Sequence, residues 1–211
     1  MKAADPTERF QVPANRYALF LLIAIAGCAA DLGTKQAVFA WRGLPPNILK
    51  DVALHPQQTR IELSNSKWWL IEPYVGIQTA VNPGALFGIG AGAGRLFALL
   101  SVVAALGILV WLFRFGAARD RWLTIALACV MAGILGNLYD RMGFWYEPET
   151  IRQEFQNGVR DWILLCYGDY TWPNFNIADS MLVCGAIMLM WQAIMDSSTK
   201  PKGKSTEPKA E

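Results

Sequence analysis

Asp179 occupies an expensive place for a carboxylate. It lies in Phe175-Asn176-Ile177-Ala178-Asp179-Ser180, at the head of a long apolar run with no basic residue within a helical turn. An ionisable group in such surroundings is by default a functional candidate, with another acid, a substrate or a proton to handle. A second carboxylate beside it would define a chemistry. Two acids sharing a site cannot both ionise cheaply, so the pair holds one proton. The base member can polarise a water while the acid member donates to a carbonyl oxygen, and a proton later reaches the leaving amine. A peptide bond is then hydrolysed with neither metal nor covalent nucleophile. Asp161, in Gly158-Val159-Arg160-Asp161-Trp162-Ile163, is one candidate, because its apolar flanks draw it towards an interface. On composition alone Glu147, Glu149 and Asp169 compete with it, and taken alone Asp161 reads as a surface acid.

Other polar residues sit in equally apolar runs. Asp31 and Lys35 are spaced i, i+4, as are Asn137 and Arg141, and Asn176 precedes Asp179 by three. Residues at these spacings share one face of a helix, so the polar groups stack instead of scattering. One reading makes them interhelical clamps, such as Asp31–Lys35 and Asp140–Arg141. For Asp31, Lys35 and Asp140 that reading weighs as much as direct chemistry; it explains Asp179 less well.

The elements that must hold these groups follow from composition. The 211-residue chain is 54% hydrophobic and 17% charged, against roughly 45–50% and 25% for a soluble domain. The surplus implies lipid as solvent. Four apolar spans, about 17–39, 96–113, 122–141 and 175–195, each approach the roughly 20 residues that cross a bilayer. Basic residues cluster before the first span (Lys2, Arg9, Arg16), between the second and third (Arg114, Arg119, Arg121) and after the fourth (Lys200, Lys202, Lys204, Lys209). All three clusters face the cytoplasm if both termini do. Measured along the helix from the inner end of each span, Asp31, Asp140 and Asp179 then lie about 21, 27 and 24 Å deep. One layer in the outer part of the bilayer therefore gathers them, with Lys35, Asn137, Arg141 and Asn176.

The long connections 41–80 and 143–158 face outward. Alternation in Arg60-Ile61-Glu62-Leu63 and in Gly76-Ile77-Gln78-Thr79-Ala80-Val81 predicts short strands, and 148–156 reads as a short interfacial helix. Residues 1–196 form one membrane domain in this reading, and 197–211 a disordered cytoplasmic tail. A net charge of +2 supplies no field for nucleic acid. The four cysteines (Cys28, Cys129, Cys166, Cys184) form no C-x-x-C pair, and one histidine, His55, makes no ligand cluster, so neither metal nor cofactor is expected. Ile25-Ala26-Gly27-Cys28 has the look of a lipobox, but three further spans follow it. The glycines at 88, 90, 92 and 94 are followed by no Lys-Ser/Thr pair, as a nucleotide loop requires. A small proton- or cation-coupled transporter component is the rival class. It predicts inverted repeats or broken helices, which the sequence lacks.

Five ordered blocks resemble the bacterial lipoprotein signal peptidase, or signal peptidase II, family. They are Asp31-Leu32-Gly33-Thr34-Lys35, Asn82-Pro83-Gly84-Ala85-Leu86-Phe87, Gly136-Asn137-Leu138-Tyr139-Asp140-Arg141, Val159-Arg160-Asp161-Trp162-Ile163 and Phe175-Asn176-Ile177-Ala178-Asp179-Ser180. The resemblance implies a mainly α polytopic membrane protein, with four transmembrane helices, a small extracytoplasmic β-sheet and an interfacial helix. It implies Asp161 and Asp179 as catalytic acids, and Asn82, Gly84, Asn137, Arg141 and Asn176 lining or ordering the substrate site. Asp31, Lys35 and Asp140 would support that site. The implied substrate is a diacylglyceryl-modified prolipoprotein, cut just before the lipidated cysteine by a monomer in the bacterial inner membrane. Two departures stand out: Pro83 inside the Asn-x-Gly turn, and a longer connection from Arg141 to Val159.

Overall fold

The computed structural model of the chain describes residues 12–51, 66–84 and 92–199. Among the described residues, four helices are long and apolar enough to cross a membrane: α1 (Ala14–Arg42), α2 (Gly94–Leu109, continued by a π-helical turn over Val110–Arg114), α3 (Arg121–Arg141) and α4 (Ile177–Thr199). Between them lies a four-stranded antiparallel meander of β1 (Trp68–Ile71), β2 (Val75–Asn82), β3 (Val159–Tyr167) and β4 (Tyr170–Phe175). The four helices and the small sheet read from the sequence stand, and each helix begins or ends within a few residues of its expected span. His55, the segment 60–63, the glycines at 88 and 90, and the tail from 200 lie outside the described residues.

Helix starts have local causes. The Asp120 side chain caps α3 by accepting from the Leu123 amide at 3.0 Å, satisfying a donor that the first turn cannot. At α4 the expected span is trimmed to Ile177, because 170–175 pair as β4 and Asn176 caps the helix.

Small residues set how closely the helices approach. A Cβ on Gly133 would collide with the Ala178 carbonyl, one on Gly136 would meet the Asp31 carboxylate, and one on Gly185 would meet the Ala126 carbonyl. Packing in membranes relies on such small residues, since lipid offers no hydrophobic drive between helices. α3 is the most enclosed of the four, whereas α1, α2 and α4 expose Leu22, Ile25, Leu99, Leu106, Met190 and Trp191. The inner core joins Phe20 and Ala24 to Leu112, Leu127 and Met131.

A second core lies beside the sheet. Phe39, Ile48, Leu49, Val81 and Ile151 are buried together, with Trp145, Tyr146 and Phe155 packed on them. It is built from the long connections. Leu49 and Ile151 form an isolated bridge, and the Arg152 amide donates to the Ile48 carbonyl at 2.8 Å. This pairing corrects the expectation for 148–156. No interfacial helix forms there; only a 3-10 turn spans Gln153–Phe155, because the backbone groups of 150–152 bond across to 48–50 instead of to their own next turn. The strand expected over 76–81 is present within β2, and β3 and β4 arise from a stretch not read as strand.

Candidate active site

Lys35 is fully buried on α1 and organises the polar layer. Its ammonium lies 2.7 Å from Asp31 Oδ2, 3.2 Å from Asp140 Oδ2 and 3.1 Å from Asn137 Oδ1. The Asp31–Lys35 clamp is therefore real, but it reaches onward to α3. Asp31 Oδ1 also accepts from the Ala178 amide at 2.8 Å, tying α1 to the first turn of α4. The supposed Asp140–Arg141 clamp is replaced. Asp140 pairs with Arg160 at 2.8 Å, while Arg141 Nη2 donates to the Gly84 carbonyl at 2.9 Å. Adjacent helical residues point in different directions and do not face each other.

Asn176 and Asp179 form a reciprocal cap at the start of α4. Asn176 Oδ1 accepts from the Asp179 amide at 2.9 Å, and the Asn176 amide donates to Asp179 Oδ2 at 3.3 Å. This is capping-box logic with Asp in the reciprocating place. The remaining Asp179 oxygen accepts from Asn137 Nδ2 at 2.8 Å. Asp179 is thus supplied with donors by two helices.

Asp161 lies on β3, opposite Ala80 of β2. It is only 3% exposed, whereas Glu147, Glu149 and Asp169 are exposed, which separates it from the three acids that composition could not exclude. Its Oδ1 accepts from Asn176 Nδ2 at 2.7 Å. Burial, and next the neighbouring Asp179 charge, push its carboxyl well above the usual carboxylate range.

Both acids line an open cleft of about 810 Å³. Asn137 and Arg141 of α3, Asn82 and Pro83 at the end of β2, and Trp172 and Phe175 of β4 share its wall, with Val183 of α4. Asn82 Oδ1 accepts from the Gly84 amide at 3.0 Å, so Pro83 is accommodated within an Asn-led turn. Ala85, Leu86 and Phe87 of that block lie outside the described residues. Arg141 stacks on Phe97 at 4.9 Å, and among the described residues its buried Nη1 has no hydrogen-bond partner. Every site residue named from the sequence belongs to this cluster: Asp161, Asp179, Asn82, Asn137 and Arg141 on the cleft, Asn176, Asp31, Lys35 and Asp140 behind it, and Gly84 accepting from Arg141. Arg160 is the participant that sequence reading missed. A basic residue directly before Asp161, between Val159 and an apolar run from Trp162, was the available signal.

Among the described residues, four membrane-length helices and a cleft lined by two acids fit a polytopic membrane enzyme of the aspartic-protease class. The family model described as signal peptidase (SPase) II matches residues 23–195. The chain belongs to the signal peptidase II family, and it is a protease that removes signal peptides from prolipoproteins. A lipoprotein signal peptidase of Rhodopirellula baltica is 56% identical over 182 residues, covering 86% of this chain and 74% of that one. Another, from Pseudomonas syringae pv. tomato, is 42% identical over 124 residues; the match covers 57% of this chain and 65% of the relative, just under two thirds. Two solved bacterial membrane enzymes, each 23% identical, share the fold. One has a TM-score of 0.63 over 87% of this chain and 92% of its own, the other 0.59 over 84% and 93%. The transporter reading is left without support.

Proposed function

We propose that Asp161 and Asp179 are the catalytic pair, and that they cleave a prolipoprotein just before a cysteine carrying diacylglycerol. The observation that carries this reading is that one asparagine, Asn176, bonds both acids at the wall of a single cleft. Asp161, with its raised pKa, holds the shared proton and donates it to the scissile carbonyl oxygen. Asp179, which accepts from Asn137 and Asn176, acts as the carboxylate that takes a proton from the attacking water. Proton return through the pair to the leaving amine completes the hydrolysis.

The cleft suits a lipid-anchored substrate. Its wall combines apolar residues of α4 and β4 with a few polar groups that fix orientation. A signal peptide is itself a membrane helix, and a diacylated cysteine is anchored at the outer leaflet. A site at that depth meets the scissile bond with both parts still in lipid. In this reading both termini are cytoplasmic, the site lies near the outer leaflet of the bacterial inner membrane, and one copy of the chain suffices, since the cleft is walled by that copy. Purified protein in detergent, given a diacylated prolipoprotein, tests the assignment. Asp161→Asn and Asp179→Asn each lose cleavage while still folding with a cooperative thermal transition; full activity in either removes that residue from the mechanism.

A further inference from the structure

We infer that Arg160 is a positioning residue: it locks the strand bearing Asp161 to α3 through Asp140, and so fixes the separation of the two acids. The inference rests on the assignment of Asp161 and Asp179 as the catalytic pair. A single carboxylate, that of Asp140, grips Arg160 three times. Asp140 Oδ2 accepts from the Arg160 main-chain amide at 2.9 Å, and Oδ1 accepts from Nε at 3.1 Å and Nη2 at 2.8 Å. The main chain immediately before Asp161 is thereby held to α3. The same helix carries Asn137, which donates to Asp179. Both acids are therefore referenced to α3, one turn apart: Asp179 through Asn137, and Asp161 through Asp140 and Arg160.

Alternation along a strand sends Arg160 and Asp161 to opposite faces. Asp161 lines the cleft and Arg160 does not, so Arg160 acts through its neighbour. On its own face the guanidinium lies over the rings of Phe39 at 5.8 Å and Trp145 at 5.3 Å, which meet each other edge to face. Trp145 belongs to the long connection, and its indole N–H donates to the Gly158 carbonyl at 3.3 Å, just before β3 begins. That connection thus braces the residue that holds the strand.

A purely stabilising ion pair accounts for this less well. Buried ion pairs add little net stability over apolar replacements, and their best attested use is to select one arrangement over others. The charges also balance. Asp31 and Asp140 face Lys35 and Arg160, two acids to two bases, with Arg141 alongside the pair Asp161 and Asp179. Without Arg160, Lys35 alone would serve Asp31 and Asp140, and the less fully compensated Asp140 charge would oppose ionisation of Asp161.

The test uses the full-length protein in detergent with a diacylated prolipoprotein, measuring kcat, KM and the pH profile of kcat. Arg160→Met is expected to lower kcat roughly tenfold or more with KM within about twofold, as a slight misplacement of a reacting group does. It also moves the alkaline limb of the profile to higher pH. Adding Asp140→Asn removes the excess negative charge, so the double variant returns that limb towards the parent position. An Arg160→Met enzyme with the parent kcat and profile overturns the inference, as does a kcat loss with an unmoved limb and no change on adding Asp140→Asn. Where Arg160→Met does not accumulate, Arg160→Lys keeps the charge and loses the fork: kcat falls with the limb in place, and an unaltered kcat overturns the inference. Asp161→Asn run alongside separates the two levels. Cleavage by Asp161→Asn defeats the parent assignment, whereas an inactive Asp161→Asn beside a parent-like Arg160→Met defeats only this one.

Discussion

Asn176 donates its side-chain amide to Asp161 at 2.7 Å while its main-chain amide faces Asp179 at 3.3 Å, so the cap of α4 is also the link between the two acids. Cap and link separate by substitution. Serine supplies a capping oxygen and keeps most of the helix stability, but its short hydroxyl cannot replace the amide that reaches Asp161. Asn176→Ser is expected to change the thermal transition in detergent only slightly while lowering kcat by about 10²-fold, the order seen when one preorganised donor is lost. Equal activity of Asn176→Ser and the parent would show that the link is not used.

The pH dependence follows from Asp161. Its pKa lies above the ordinary carboxylate value because burial and the Asp179 charge disfavour its ionised form. Between the ordinary and the raised values, the folded protein holds a proton that the unfolded chain has released. Folded protein binds the more protons there, so stability falls as pH rises across that window. Thermal midpoints taken across the window should decline for the parent and flatten for Asp161→Asn. Cleavage should fade on the alkaline side of the same raised value, once both acids are ionised.

Lys35 serves three acceptors from a position closed to water. Replacing it with methionine leaves Asp31 without a cation and Asp140 with Arg160 alone. Breaking a buried pair at one end costs about 3–5 kcal/mol, so Lys35→Met should lower the unfolding midpoint sharply. Asp31→Asn in the same protein removes one stranded charge, and should recover part of that loss with a coupling of roughly 0.5–3 kcal/mol. A double-mutant cycle on thermal or denaturant unfolding measures it. Purely additive effects would mean that the two residues do not act as a pair.

What the sequence made legible, and what it did not, divides along physical lines. Membrane spans announce themselves because lipid permits so little else, and charges inside them stand out against apolar neighbours; Asp31, Lys35, Asp140 and Asp179 were visible for that reason. Their partners across elements were not. Asp140 looked as well placed for Arg141 as for anything else, since adjacency in sequence hides the angle between successive side chains. The strand around Asp161 was obscured because Trp162, Ile163, Leu164 and Leu165 run on without polar alternation. The pairing of Leu49 with Ile151 had no local signal, because an isolated bridge between two loops depends only on how they meet.

Two glycines near Asp31, one across the helix interface and one two residues along the chain, give the sharpest check on the packing behind the site. A Cβ on Gly136 would lie 2.5 Å from Asp31 Oδ2, 3.0 Å from its Cγ and 3.1 Å from the Ala178 Cβ. Those are the groups that join α1 to the start of α4, through the 2.8 Å bond from the Ala178 amide to Asp31. Gly136→Ala therefore cannot be absorbed by a flexible side-chain tip. It should cost about 1–3 kcal/mol, the usual penalty for overfilling a packed interior, and lower cleavage by displacing the first turn of α4 on which Asp179 stands. Gly33 belongs to the same polar block as Asp31, yet an added Cβ there meets nothing within 4 Å. Gly33→Ala should be neutral or should stabilise α1 by up to about 1 kcal/mol, the ordinary helix preference of alanine over glycine. Unfolding midpoints and cleavage rates of the two variants, measured together, check whether α1, α3 and α4 approach as closely as the polar layer requires; equal behaviour would contradict the packing at Gly136.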